Sequence, residues 1–246
     1  MSKVTGGKAI SGAAVGILML EARFPRIPGD VGNAETWPFP VLYRVVRQAT
    51  PDRVVCKGAE GLLQDFIAAA RDLVADGVDG ITTNCGFLSL YQKDLADAVE
   101  VPVAASSLMQ VPMVNALLPR GKRAGILTIS ASSLTAAHLA AAGVPDGTAI
   151  GTTEGGREFT RVILGNETEM DVDLARRDNV EAARTLARTH ADLGAIVLEC
   201  TNMVPYAADI QHATGLPVYS MVDFITWFRM GLRPARFPAP AVLPED

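Results

Sequence analysis

Two kinds of apolar run alternate along this chain. Short continuous stretches, Gly16-Ile17-Leu18-Met19-Leu20, Gly80-Ile81-Thr82-Thr83, Gly125-Ile126-Leu127-Thr128-Ile129 and Gly194-Ala195-Ile196-Val197-Leu198, lack the alternation of a half-exposed strand. They predict strands buried on both faces of a parallel sheet. Between them, Leu62, Leu63, Phe66, Ile67, Ala70, Leu73 and Val74 recur at helical spacing, the stripe of a helix lying on that sheet. Asp178–Leu193 carries a similar stripe through Val180, Ala183, Leu186 and Ala187, with Gly194 placed as a helix-terminating glycine. Strand–helix alternation predicts an α/β fold with parallel sheets, binding its ligand beyond the carboxyl ends of the strands.

The pattern occurs twice. Leu73–Gly86 and His190–Thr201 each read as a helix end, a glycine turn, a buried strand and a cysteine where the strand stops. Seventeen residues beyond each cysteine stands a strand-opening proline, so Cys85 and Cys200 are 115 residues apart, as are Pro102 and Pro217. A duplicated α/β unit explains the matched offsets. It divides the chain into a first lobe over 1–112, completed by the C-terminal helix, a second over 113–231, and an arm over 232–246. If the lobes pack face to face about a pseudo-two-fold axis, Cys85 and Cys200 meet across a cleft.

Two segments need separate readings. Lys3 and Lys8 precede the apolar run Ala9–Leu20, which has the look of a signal peptide. Its end, however, recurs inside the chain at Gly125–Ile129, so it is read as the first core strand. Arg23–Pro40 follows that strand and is broken by Gly and Pro. It reads either as a lid with Arg23 or Arg26 on a substrate carboxylate, or as a surface loop pinned by Trp37 and Phe39.

Charge and cysteine usage narrow the function. Lys and Arg number 22 against 27 Asp and Glu, a formal charge of −5, and no basic cluster speaks for nucleic acid. No apolar stretch reaches the roughly 20 residues of a membrane span, so a cytoplasmic protein without a membrane partner is expected. The 3 cysteines are too few and too scattered for a disulfide framework or a zinc pattern. Walker, GxGxxG and HExxH motifs are absent, and neither metal nor cofactor is expected. Cys56, among Val54, Val55 and Lys57, has no counterpart in the second repeat and is read as structural.

The paired thiols suggest acid–base chemistry. Each is followed by a small or hydroxyl residue, Gly86 or Thr201, that leaves backbone N–H groups open to a thiolate or a substrate carboxylate. Two such groups flanking one carbon can remove a proton from one face and return one to the other, inverting a stereocentre. Asn84, Gly86, Thr201 and Asn202 beside the thiols, Ser106, Thr128 and Ser130 after strands, and Arg23 in the loop are the candidate substrate-binding residues. His138, His190 and His212 fall in helical stretches and read as solvated or capping groups. Asp171, Asp173, Arg176, Arg177 and Asp178 read as the solvated start of a helix.

Thr83-Asn84-Cys85-Gly86, Glu199-Cys200-Thr201-Asn202 and the two opening strands resemble the aspartate/glutamate/hydantoin racemase superfamily, over roughly Ala14 to Gly231. The resemblance implies two Rossmann-like lobes with the active site between them, Cys85 and Cys200 as acid–base residues, no cofactor, and a homodimer. It leads to the expectation of an isomerase: a cofactor-independent racemase or epimerase of a small carboxylate, amino acid or hydantoin, and hence a small anionic substrate as partner. Gly86-Phe87 replaces the family's Asn-Thr or Asn-Ser, Asn202 its His or Glu, and Glu21-Ala22 the glutamate racemases' Asp-Ser. Strict aspartate or glutamate specificity is therefore not expected. A maleate-type cis–trans isomerase with a covalent cysteine adduct, or a binding protein that lost the reaction, are the rival readings.

Overall fold

A computed structural model of the chain describes residue 3 and residues 6–237. Its strands and main helices are β1 (Val15–Leu20), β2 (Val41–Val46), α1 (Leu63–Asp76), β3 (Gly80–Thr83), α2 (Gln92–Ala98), β4 (Val103–Ala104) and α3 (Gln110–Leu117). The second half has β5 (Arg123–Thr128), α4 (Ala136–Ala141), β6 (Ile150–Thr152), α5 (Phe159–Gly165), α6 (Val172–Thr189), β7 (Leu193–Leu198), α7 (Ala207–Thr214), β8 (Val218–Tyr219) and α8 (Met221–Leu232).

The continuous apolar runs become the centres of two sheets. One has the order β2-β1-β3-β4 and the other β6-β5-β7-β8, and every pairing is parallel. The repeat seen in the sequence is thus a repeat of topology, with β1 matched by β5 and β3 by β7. In each sheet the strand order reverses beside the first strand, where an open α/β sheet forms its ligand crevice.

Both faces of β1 are covered, which explains its lack of alternation. Leu18 and Leu20 join the cluster of Phe66, Ala70 and Leu73 from α1. Val15, Ile17 and Met19 pack with Met221, Phe224 and Ile225 of α8, so the last helix closes the first sheet. Gly80 sits where a Cβ would meet Phe228 and Leu232 of α8 within 2.6–2.8 Å, and a side chain there would push the helix away.

Local details differ from the sequence reading in three places. Gly194 lies inside β7 rather than ending α6; a Cβ there would meet Lys122 at 2.8 Å and Leu118 at 3.2 Å, so it is glycine for space. α6 begins at Val172, earlier than its stripe suggested, because the Asp171 carboxylate accepts the Asp173 and Leu174 amides. Asp178 is no solvated helix start. Its carboxylate accepts the amides of Arg157, Glu158 and Phe159 at 3.0, 2.7 and 2.9 Å and so anchors the entry to α5. Of the expected C-terminal arm, residues 238–246 lie outside the described residues. Among the described residues no helix is long and apolar enough to cross a membrane.

Three amides on one carboxylate make Asp178 the fixing point of α5. Asp178→Ala should lower the unfolding free energy by about 2 kcal/mol in a urea titration. Asp178→Asn, which keeps one acceptor oxygen, should cost roughly half of that. A loss under about 0.5 kcal/mol for the alanine variant would show that α5 is held by its apolar face alone.

Candidate active site

Both thiols sit at equivalent points of the two repeats. β3 continues through Asn84 to Cys85, which is the N-cap of a 3-10 turn over Gly86–Tyr91. β7 continues through Glu199 to Cys200, the N-cap of a 3-10 turn over Thr201–Tyr206. In each, the cysteine carbonyl accepts the amide three residues on, Leu88 or Met203, at 3.1 Å. The sulfurs thereby stand at helical N-termini, where amides face a negative charge.

Hydroxyls crossing between the halves hold these strand ends together. Thr201 Oγ1 donates to the Asn84 carbonyl at 2.6 Å. Ser107 Oγ donates to the carbonyls of Leu198 at 2.6 Å and Glu199 at 3.0 Å. Gly86 is pressed so closely on Glu199 that a Cβ would meet both its carbonyl, at 2.5 Å, and its Oε1. Asn84 spends its Oδ1 on the Leu20 amide at 2.8 Å, which ties β3 to the end of β1.

Between the halves lies a cavity of about 20 Å3 lined by Cys85, Cys200, Asn84, Gly86, Glu199 and Asn202 on its polar side. Leu20, Phe24, Pro51, Val55, Phe87, Ile129, Ile163 and Leu164 form its apolar wall. That volume holds about one water molecule, so a substrate enters only as the walls part. A larger open groove runs along β6 and α6 but includes neither thiol.

Dryness sets the electrostatics. Burial pushes the Cys85 thiol far above its ordinary range, with the Glu199 carboxyl adding to the effect; the amides of Phe87 and Leu88 and the charge of Arg26 pull it back. Burial and then Glu199 raise Cys200 as well, against the single amide of Asn202. The Cys200 thiol donates to Asn202 Oδ1 at 3.5 Å. Glu199 is itself only 1% exposed, and burial pushes its carboxyl up to about 7, although Thr128 and the Ile129 amide bond to it.

The residues singled out from the sequence separate into two groups. Asn84, Gly86 and Asn202 line the cavity with both thiols. Thr201 and Thr128 stand one step behind, on the Asn84 carbonyl and on Glu199 Oε2 at 2.8 Å. Ser106 caps the short turn over Ser107–Met109. Ser130 bonds to Glu154 at 2.7 Å, because its side chain turns to the β6 side. Arg23 is exposed and outside the cavity lining; its amide donates to Asn166 Oδ1 at 2.6 Å. His138 is buried in a capping box with Thr135, and burial lowers its pKa. Cys56 is exposed, unlike the buried Val54 and Val55 beside it.

Glu199 and Asp30 are not singled out by the sequence reading, which offers Arg26 only as a partner for a substrate carboxylate. Glu199 ends an apolar strand, so a carboxyl carried indoors was the one available hint. The Asp30 carboxylate, 2% exposed, takes Arg26 Nη1 at 2.9 Å and the Asn202 amide nitrogen, joining the 23–40 loop to the second repeat. Arg26 stacks on Phe24 at 4.7 Å, and its Nη2 is buried without a partner. Trp37 is buried in the same loop, as the pinned-loop reading requires. Among the described residues no group of three or more His, Cys, Asp or Glu is arranged to hold a metal ion.

No family model matches the chain. A dimethylsulfoniopropionate lyase of Durusdinium sp. clade D is 30% identical over 232 residues, covering 90% of this chain and 76% of that protein. Dimethylsulfoniopropionate lyase 7 of Emiliania huxleyi is 30% identical over 231 residues, covering 89% and 67%. Among solved structures, arylmalonate decarboxylase matches with a TM-score of 0.59 at 16% identity, over 90% of this chain and 94% of that one. Allantoin racemase from Pseudomonas fluorescens matches at 0.53 and 17%, over 92% and 100%, and a glutamate racemase from Bacillus anthracis at 0.57 and 14%, over 90% and 83%. The lyase relatives overturn the expected racemase, and with it the assignment as an isomerase: paired thiols serve proton transfer in general and do not by themselves specify inversion. The fold is that of the aspartate/glutamate/hydantoin racemase superfamily, and the chain belongs to the dimethylsulfoniopropionate lyase family.

Proposed function

We propose that this protein is a lyase that cleaves dimethylsulfoniopropionate, or a close β-sulfonio carboxylate, by β-elimination in the cavity between Cys85 and Cys200. The observation that carries this reading is the pair of thiols on one small, largely apolar cavity, in a chain 30% identical to such lyases over 90% of its length. A base takes the proton from the carbon beside the carboxylate. Its electron pair becomes the new C=C bond, and the C–S bonding pair leaves with sulfur. The products are dimethyl sulfide and acrylate, and the base later returns its proton to solvent. Atoms and charge balance without oxidation or reduction.

Cys85 is the better placed base. The Phe87 amide, with a share of the Leu88 amide that also bonds the Cys85 carbonyl, lowers the cost of its thiolate, whereas Cys200 spends its S–H on Asn202. The free protein keeps both thiols protonated, because burial raises each. A sulfonium cation entering the cavity reverses part of that penalty by Coulomb attraction, so the thiolate forms where the substrate is. The Asn84 amide nitrogen, its oxygen being held by Leu20, donates to the substrate carboxylate together with Asn202. Aromatic Phe24 and Phe87 suit the methyl groups of the sulfonium.

Cys85→Ala should lower dimethyl sulfide release by about a thousandfold, read by headspace gas chromatography together with acrylate. Cys200→Ser, which retains a hydroxyl donor, should cost only about tenfold. Full activity in both Cys85→Ala and Cys200→Ala, or no release from the native protein, would sink the assignment. The raised thiols also fix the sign of the pH dependence. The thiolate fraction grows as pH climbs toward the pKa, so kcat/KM should still be rising at pH 9. A plateau below pH 8 would mean that a group other than a buried thiol is the base.

A further inference from the structure

Two carboxyl groups are buried at the cleft, and they are treated differently. Asp30 has its cation, with Arg26 at 2.9 Å. Glu199 has none: among the described residues no Lys, Arg or His lies within ion-pair distance of it. Its Oε2 accepts the Thr128 hydroxyl, and its Oε1 is packed against Gly86. It lines the cavity together with both thiols. A carboxylate held in an apolar cavity without a positive partner is costly, and the cost falls when the ligand supplies the partner.

We infer that Glu199 is the counter-charge for a cationic group of the substrate and selects substrates whose leaving group is positively charged. The inference rests on the lyase reading and deepens it: the sulfonium is the cation, and a neutral thioether acid of the same shape is rejected. The groups facing Glu199 support it. Cys85 comes from the 3-10 turn after β3 and Cys200 from the strand end that carries Glu199, and both are neutral when protonated. β5 offers only the Thr128 hydroxyl and the Ile129 amide. Arg26 and Asp30, in the 23–40 loop, already compensate each other. The carboxyl, pushed up to about 7 by burial, ionises when a cation arrives and releases its proton.

Calorimetric titration in buffers of different ionisation enthalpy tests this with two unreactive probes, 3-(trimethylammonio)propanoate and its carbon isostere 4,4-dimethylpentanoate, which keeps the carboxylate and lacks the cation. The native protein should bind the probe with the cationic group at least about tenfold more tightly than the one without it, the equivalent of a one-unit pKa change. At pH 7 it should release about half a proton per site with the cationic probe only. Glu199→Gln, which can still accept from Thr128, should lose both the preference and the release. Equal binding of the probes to the native protein, proton uptake, or a preference that survives in Glu199→Gln would overturn the inference. If that variant does not fold, Cys85→Ala decides: the preference and the proton release should persist without the thiol, and their loss there would overturn the inference. Dimethyl sulfide release by the native protein is scored separately. Release without a Glu199-dependent preference removes this inference alone, whereas the preference without release removes the lyase reading and leaves a cation-selective site.

Discussion

The site depends on a small set of hydrogen bonds that stitch the carboxyl ends of β3 and β7 together. Thr201 reaches across to the Asn84 carbonyl, and Ser107 to those of Leu198 and Glu199. Strand-end carbonyls have no further strand partner, and buried ones must be satisfied. Here each half satisfies the other. The bonds bring Cys85 and Cys200 to one buried cavity and leave no space for a side chain at residue 86. Burial then does the rest: it raises both thiols, raises Glu199, and strengthens any charge that enters.

The same burial works against the fold. The Glu199 carboxyl goes from about 4.5 to about 7 on burial, so its folded-state pKa lies above the unfolded one. Stability from the neutral form is complete below about pH 4.5 and is lost as pH rises through 7, a swing on the order of 3 kcal/mol. Tight apolar packing elsewhere offsets it: β1 is covered on one face by α1 and on the other by α8. Concentrating the unfavourable term at the cleft fits a site whose ligand brings the missing charge.

Much of this was legible in the amino-acid order. Buried parallel strands announce themselves as continuous apolar runs, and the equal spacing of two cysteines and two prolines disclosed the duplication because topology repeats with the chain. The cavity wall did not show itself. Phe24, Pro51, Val55, Ile163 and Leu164 come from segments far apart in sequence, and each reads locally as ordinary core. Arg23 and Arg26 look alike on paper; only the fold turns Arg26 inward onto Asp30 and leaves Arg23 in solvent. Gly194 illustrates the opposite error, since a glycine after a helix and a glycine giving way to Leu118 look the same in one dimension.

The reaction type was illegible for a chemical reason. Racemisation and β-elimination begin with the same event, removal of a proton beside a carboxylate by a thiolate. They part afterwards: inversion needs an equivalent acid on the opposite face, whereas elimination needs a leaving group and a place for its charge. Matched positions of Cys85 and Cys200 in the repeat suggest the first. Their unmatched surroundings suit the second: backbone amides alone face one sulfur, whereas the other spends its S–H on a side-chain acceptor. Glu199 adds to that asymmetry, because the residue at its place in the first repeat is Asn84. Duplication supplied two alike strand ends, and a neutral amide on one side against a carboxyl on the other makes them unalike in charge. That difference in charge is what the proposed selection between the two ends of a zwitterion rests on, and a symmetric pair of thiols alone would lack it.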